Sequence, residues 1–307
     1  LSVAIGVSIA TNTIDNDVLA YIADADVTST IGAITIAATE NATIDAISVA
    51  ASLAVGLGAI GGALAGAGAV ADNIILGKTN AYALDSQLDA KTDVSITADN
   101  TSHIDAKIIA AAASLGAGVI GGAAVGVGVA IARNFVGWDT SISHDSNEKV
   151  PALRAGDTVF VSSGASLGKV FKYIGALTLN DVDLSTQDYT NDVLWVQVAR
   201  PPVQEVRAYT QNTSIDAEGD LSLTATSNQT ITATVIAGSV AVAAGIGIGL
   251  AGAGAGVFAE NRIATAVQAV IDGDGGLLTG VQADEITLGA SDKSTITADA
   301  AAVSVAA

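Results

Sequence analysis

The residues of this 307-residue chain that could do chemistry are few and scattered. Its two histidines, His103 and His144, stand near Asp105 and Asp145. A zinc site needs three or four converging ligands, and a chain without cysteine is short of them. A Ser-His-Asp set needs a nucleophile within reach of the imidazole, and no spacing here supplies one. Both histidines therefore read as solvated. G-x-G-x-x-G occurs at Gly56-Gly58-Gly61, Gly116-Gly118-Gly121 and Gly247-Gly249-Gly252. A phosphate-binding loop of that pattern must follow a strand and open a helix, and no helix-forming segment follows any of the three. Asp272-Gly-Asp-Gly-Gly276 has carboxylates two apart and glycine for a turn, but Asp284 and Glu285 lie too far along to complete a calcium loop. A plain turn is the simpler reading. Calcium at the Asp-rich edges Asp15-Asn-Asp17, Asp24-Ala-Asp26 or Asp181-Val-Asp183 is the one metal the sequence leaves open, against their reading as solvated, edge-protecting charge. No catalytic, cofactor-binding or metal-ligating set emerges, and the chain is not expected to be an enzyme.

What positions these residues is a repeat. Ile44 to Asn73, Ile104 to Asn134 and Ile231 to Asn261 spell one passage three times, almost wholly in Ala, Gly, Val and Ile. Asn12, Asn73 and Asn134 are 61 residues apart. A tandem period of that length predicts stacked units sharing one elongated core. The asparagines Asn12, Asn73, Asn134 and Asn261 are then structural, as a stacked ladder or turn cap. Tyr21, Tyr82 and Tyr209 follow them at a fixed offset once an interruption is removed, and stack along one face; the fourth copy has Val270 there. The chain starts and stops inside a repeat and reads as a segment of something longer.

Composition agrees. Half the residues are hydrophobic, only 4% are aromatic, and there is no Cys or Met. A net charge of −19 excludes nucleic acid as a partner, since phosphate binding needs a basic patch. Absent cysteine excludes a disulfide framework and is compatible with export.

Alternation in Val94-Ser-Ile-Thr-Ala98 and Leu221-Ser-Leu-Thr-Ala225 predicts strands. The apolar passage alternates too, with Leu53, Val55 and Leu57 on one side and Ala54, Gly56 and Gly58 on the other. It reads as two strands, buried on both faces, joined at a bend marked by Gly61-Gly62 and Gly121-Gly122. The rival reading is a membrane helix: Ala46 to Ala71, Ile108 to Ala132 and Val235 to Ala259 carry no charge and exceed the ~20 residues a span needs. Against membrane insertion stand the scarcity of Leu and Phe, acidic flanks without a Lys/Arg bias, no Trp/Tyr belt, and abundant Gly.

The rhythm breaks once, because Asn134 to Asn261 spans 127 residues. The excess, about Trp138 to Pro202, holds or borders every proline and contains Trp138, Phe160, Phe171, Tyr173, Tyr189 and Trp195. It predicts an inserted small all-β domain at 138–202 between repetitive regions 1–137 and 203–307.

AASLAVGLGAIGGALAGAGAVADN, followed by a Tyr-containing strand and an I-T-A or I-D-A strand, resembles the repeats of giant bacterial surface and adhesin-like proteins. The resemblance covers nearly everything outside the insert and implies an extracellular, cell-surface location and adhesive or matrix roles; it carries no catalytic residues over. The insert is distantly similar to small chitin-binding-type carbohydrate-binding modules, on Gly156-Asp-Thr-Val159, Phe171-Lys-Tyr173, Asp188-Tyr189 and Leu194-Trp-Val196. It departs from them in the long polar stretch Leu179 to Asp192 and in lacking an adjacent aromatic pair. That likeness implies surface polysaccharide as a partner and glycan contact through Tyr173, Tyr189 and Trp195. The favoured reading of the same three is the core of so small a domain, which needs some large residues inside.

The expected architecture is all-β: a right-handed parallel β-solenoid or closely related repetitive β-stack, carrying one small all-β insertion. The expected function is a structural, adhesive rod or fibre segment on the bacterial surface, with self-association or further repeats of the same chain as partners. The alternatives are a glycan-binding adhesin acting through the insert and a membrane-embedded assembly through the apolar passages.

Overall fold

A computed structural model describes residues 1–138, 142–198, 204–274 and 280–307. Among these the chain is nearly all strand, and the one helical turn is the 3-10 segment Leu184–Thr186. It divides into two compact units, Leu1–Val136 with Gln204–Ala307, and Gly137–Val203.

In the first unit the described strand pairs are parallel, and the repeat sets their register. Ile44, Ile104, Ile231 and Ile296 are successive neighbours, and Ala46, Ala106, Ala233 and Ala298 follow beside them. A shift of one residue would send every inward side chain outward, so the repeated alternation locks the pairing. Each copy also contributes a short strand (Asp26–Ser29, Gln87–Ala90, Ser214–Ala217) and a seven-residue strand (Ile34–Glu40, Val94–Asn100, Leu221–Ser227) to two further parallel sheets. The corner before the short strand has positive φ each time: Asp24 at 50°, Asp85 at 46°, Asn212 at 46° and Gly273 at 76°. Asp, Asn and Gly are the residues that tolerate that conformation. Asp24 and the Asp272-Gly-Asp run thus serve turns, although 275–276 lie outside the described residues.

The apolar passages are strands, so the helical reading is overturned; no helix among the described residues is long and apolar enough to cross a membrane. Strand Thr43–Leu84 runs out along 43–58 and returns along 60–84, and the ladder slips register between Gly58 and Ile60. The reversal therefore precedes the glycine pair, and the glycines have another use. A Cβ added at Gly56 would lie 1.9 Å from the Gly62 carbonyl oxygen, and one at Gly116 would lie 2.0 Å from that of Ala123. Near the tip the outgoing and returning layers touch backbone to backbone, and only small side chains fit between them. Ala46, Ala50 and Ala54 face Ala63, Ala65, Ala67 and Ala69 in this thin core. A second apolar cluster is bulkier and conventional: Ile36, Leu88, Ile96, Ile215, Leu221 and Leu223 fill the space between the other sheets.

The passages are buried on one face only, contrary to the sequence reading. Alternation sends the small residues inward and the large ones out: Val7 and Leu53 are each 67% exposed and Ile60 at the tip is 73% exposed. Toward the tip the inward positions are Gly, Ala and Ser, and the layers leave no room for Val or Leu there; further back Ile108 and Val235 are taken inside, and the remaining large side chains turn outward.

The second unit is a small β-structure with its own core of Val150, Leu153, Val159, Phe171, Tyr173, Leu184, Tyr189 and Trp195. Strands Thr158–Phe160, Val170–Tyr173 and Trp195–Val198 pair antiparallel, and His144–Asp145 joins them in parallel.

Close approach of the layers should make inward glycines irreplaceable. Gly116→Ala is expected to cost about 1–3 kcal/mol by overpacking. Gly66→Ala, where an added Cβ meets nothing within 4 Å, is expected to be neutral or to stabilise by up to about 1 kcal/mol. Urea unfolding midpoints check both.

Candidate functional site

The polar side chains that the repeat buries are the first place to look for chemistry, because burying them without partners is costly. The asparagines form a chain of amides: Asn12 Nδ2 donates to Asn73 Oδ1 at 2.8 Å, Asn73 Nδ2 to Asn134 Oδ1 at 2.7 Å, and Asn134 Nδ2 to Asn261 Oδ1 at 2.7 Å. A primary amide is both donor and acceptor, so it suits a position where each residue meets its own copy. The tyrosines stack as expected, Tyr21 on Tyr82 at 5.0 Å and Tyr82 on Tyr209 at 4.8 Å, with the Arg207 guanidinium 4.5 Å from the Tyr209 ring centre.

Sequence reading missed a second polar seam, between the two apolar clusters. Glu40 is almost fully buried, and its Oε2 accepts from Thr79 Oγ1 at 2.7 Å and Asn100 Nδ2 at 2.8 Å. The seam continues through Gln229, which donates to Gln204 Oε1 at 2.8 Å and accepts from Thr265 Oγ1 at 2.7 Å. The signal was present in the register, since Glu40, Asn100 and Ser227 interrupt an otherwise apolar inward face. Burial pushes the Glu40 carboxyl above its ordinary range, and the Thr79 donor and nearby Gln204 amide offset part of this; Asp17 adds to the upward shift. Its Oε1 has no hydrogen-bond partner. The seam's groups are turned toward one another, which is the arrangement of an interior support and not of an open reaction centre.

In the second unit the structure brings Tyr173, Tyr189 and Trp195 together, but inside. Tyr189 lies 4.8 Å from Trp195 and Tyr173 5.4 Å from Trp195, centre to centre. The Tyr173 hydroxyl donates to the Leu177 carbonyl at 2.9 Å and that of Tyr189 to the Leu184 carbonyl at 2.8 Å. Burial first, and then Asp145, push the Tyr189 phenol up to about 12. All three rings are largely buried, so Tyr173 and Trp195 offer no open face for sugar stacking, whereas Tyr189 reaches the wall of a cleft. That cleft has a volume of about 260 Å³, and Ser146, Ser163, Ser166, Asp188 and Thr190 line it beside Tyr189. His144 sits between Glu148, at 3.6 Å, and Asp157, at 3.8 Å; His103 stacks between threonines 43 and 230 on a partly exposed strand end. Among the described residues no three His, Cys, Asp or Glu side chains converge as metal ligands.

Three outcomes are expected. Asn73→Ala leaves the Asn12 donor and the Asn134 acceptor unpaired, at about 1–3 kcal/mol for each buried group, read by thermal or urea unfolding. Because the folded-state pKa of Glu40 is raised, the folded chain holds its proton more tightly than the unfolded one. Its contribution is present below the ordinary value of 4.5 and is lost as pH rises through the folded pKa. Glu40→Gln should remove that component from the stability–pH profile and leave the variant at least as stable as the parent at pH 7. Trp195→Ala should cost about 3–5 kcal/mol by cavity formation and unfold the second unit first, as its near-ultraviolet circular dichroism would report.

No family model, curated protein or solved structure matches this chain, so its function is read from its own residues.

Proposed function

We propose that the first unit is a segment of a parallel β-solenoid serving as a structural, adhesive scaffold on a bacterial surface, and that residues 138–202 form a small domain inserted in it and held out for contact. The observation that carries this reading is the asparagine ladder. It passes from Asn134 to Asn261 across 127 residues with the same donor–acceptor geometry as across 61. The repeat thus tolerates an insertion without losing register, which suits a scaffold that displays modules. The buried amides support a structural role as well, because the asparagines, Gln204 and Gln229 hydrogen-bond one another along the stack. Acidity without thiols favours an exported, soluble surface. The partners of such a segment are further repeats of the same chain and other copies of itself.

Repeat addition tests this. Three extra copies of residues 64–124, placed in tandem after Ala124, should lengthen the particle by roughly 14 Å, one strand spacing per copy. The cross-sectional radius from small-angle X-ray scattering should stay constant. Growth in all directions would sink the solenoid reading.

A further inference from the structure

Large apolar side chains cover the outer face of the returning layer. Val3, Ile5, Val7 and Ile9 lie in the first copy; Val125, Val127, Val129 and Ile131 lie in the third. With Leu64 and Phe258 they form a contiguous apolar surface, Ile5 being 75% and Phe258 50% exposed, and contiguous exposed apolar surface of this kind marks an interaction site. No charged residue stands at 2–10, 63–71, 124–132 or 251–259.

The face is corrugated. At two adjacent positions the four copies read Ile5, Gly66, Val127, Gly254 and Val7, Gly68, Val129, Gly256. Ridges in the first and third copies thus alternate with troughs in the second and fourth. Nothing inside the chain requires these glycines, because a Cβ added at Gly66, Gly68, Gly254 or Gly256 meets no atom within 4 Å. Glycine in a strand weakens it, so the troughs cost stability that the isolated fold does not recover.

We propose that this face docks on the same face of a second copy, related by a two-fold axis parallel to the strands that reverses the order of the copies. The proposal rests on the parallel stacking above and names the self-association surface. Reversal sets Ile5 over Gly254 of the partner subunit and Val7 over Gly256 of the partner subunit, and seats Val127 and Val129 over Gly66 of the partner subunit and Gly68 of the partner subunit. The flanking positions are large on both sides (Leu64 with Val125, Ile9 with Phe258) and close the trough ends. The next outward row reads Thr11, Asp72, Arg133, Glu260, so the same operation sets Asp72 opposite Arg133 of the partner subunit, twice. A two-fold axis along the stack would instead keep the copy order, setting ridge on ridge and trough on trough, and by reversing the strands would carry Asp72 away from Arg133 of the partner subunit. Liquid hydrocarbon would cover an apolar face but has no use for its corrugation.

Sedimentation equilibrium of the whole chain tests the surface. The parent should show a concentration-dependent dimer. Gly66→Val with Gly68→Val, which fills one trough without an internal clash, should weaken it at least tenfold while the circular dichroism is unchanged. Gly254→Val with Gly256→Val does the same in another copy, should the first pair misfold. Arg133→Asp should weaken the dimer, and adding Asp72→Arg should restore it. A chain monomeric at all concentrations overturns the proposal, as do filled troughs that associate as tightly or more tightly. A monomer that floats with phosphatidylcholine vesicles assigns the face to lipid instead. Each of these failures leaves the repeat-addition result, and the scaffold reading, standing.

Discussion

In-register parallel pairing makes each side chain's nearest neighbour its own counterpart one repeat away. Everything else in the first unit follows from which side chains accept that company. Isoleucine and alanine pack on themselves, tyrosine stacks its ring, and the asparagine amide donates to the next and accepts from the last. Charge accepts it worst, since like charges opposite one another repel. The ladders answer by changing sign, as in Asp17, Lys78, Glu205 and in Asp72, Arg133, Glu260. Where like meets like, at Asp45 with Asp105 and at Asp89 with Asp216, the pairs stand on exposed faces.

The second constraint is thickness. Gly and Ala between the two layers of the apolar passage let the backbones approach until a methyl group would collide with a carbonyl oxygen. Tight packing of this kind gains stability from dispersion and ladder hydrogen bonds more than from large buried side chains. It also inverts the usual pattern of a soluble protein, because the bulky apolar residues end up outside. The exposed apolar face is a direct product of how thin the core is, and the bulkier cluster around Leu88 and Ile96 shows what the same fold does when its sheets stand further apart.

The second unit follows different rules. It has no copies to lean on, so it stabilises itself with aromatic packing: Phe171, Tyr173, Tyr189 and Trp195 form one contiguous cluster. A domain this small cannot spare those rings for a ligand and keep a core. Its polar surface, including the cleft lined by Ser146 and Asp188, is what remains open to contact.

Much of the fold was legible in the sequence because a repeat is a periodic signal. The 61-residue spacing named the strands that must be neighbours, the alternation named their inward residues, and the asparagines and tyrosines announced their ladders. Corner residues Asp24, Asp85, Asn212 and Gly273 were legible too, in hindsight, as types that accept positive φ. The Glu40 seam was harder to see: Glu40 and Asn100 are ladder equivalents of unlike type, and Thr79 and Gln229, which complete the seam, come from other parts of the repeat. The sequence by itself determined that copies pair in register, since a one-residue slip would turn every core side chain to water. Only the tertiary structure decided which face of the apolar passage is covered. Periodicity tells inside from outside along one strand, but the distance between two layers depends on what stands opposite, and that distance left Val, Leu and Ile outside.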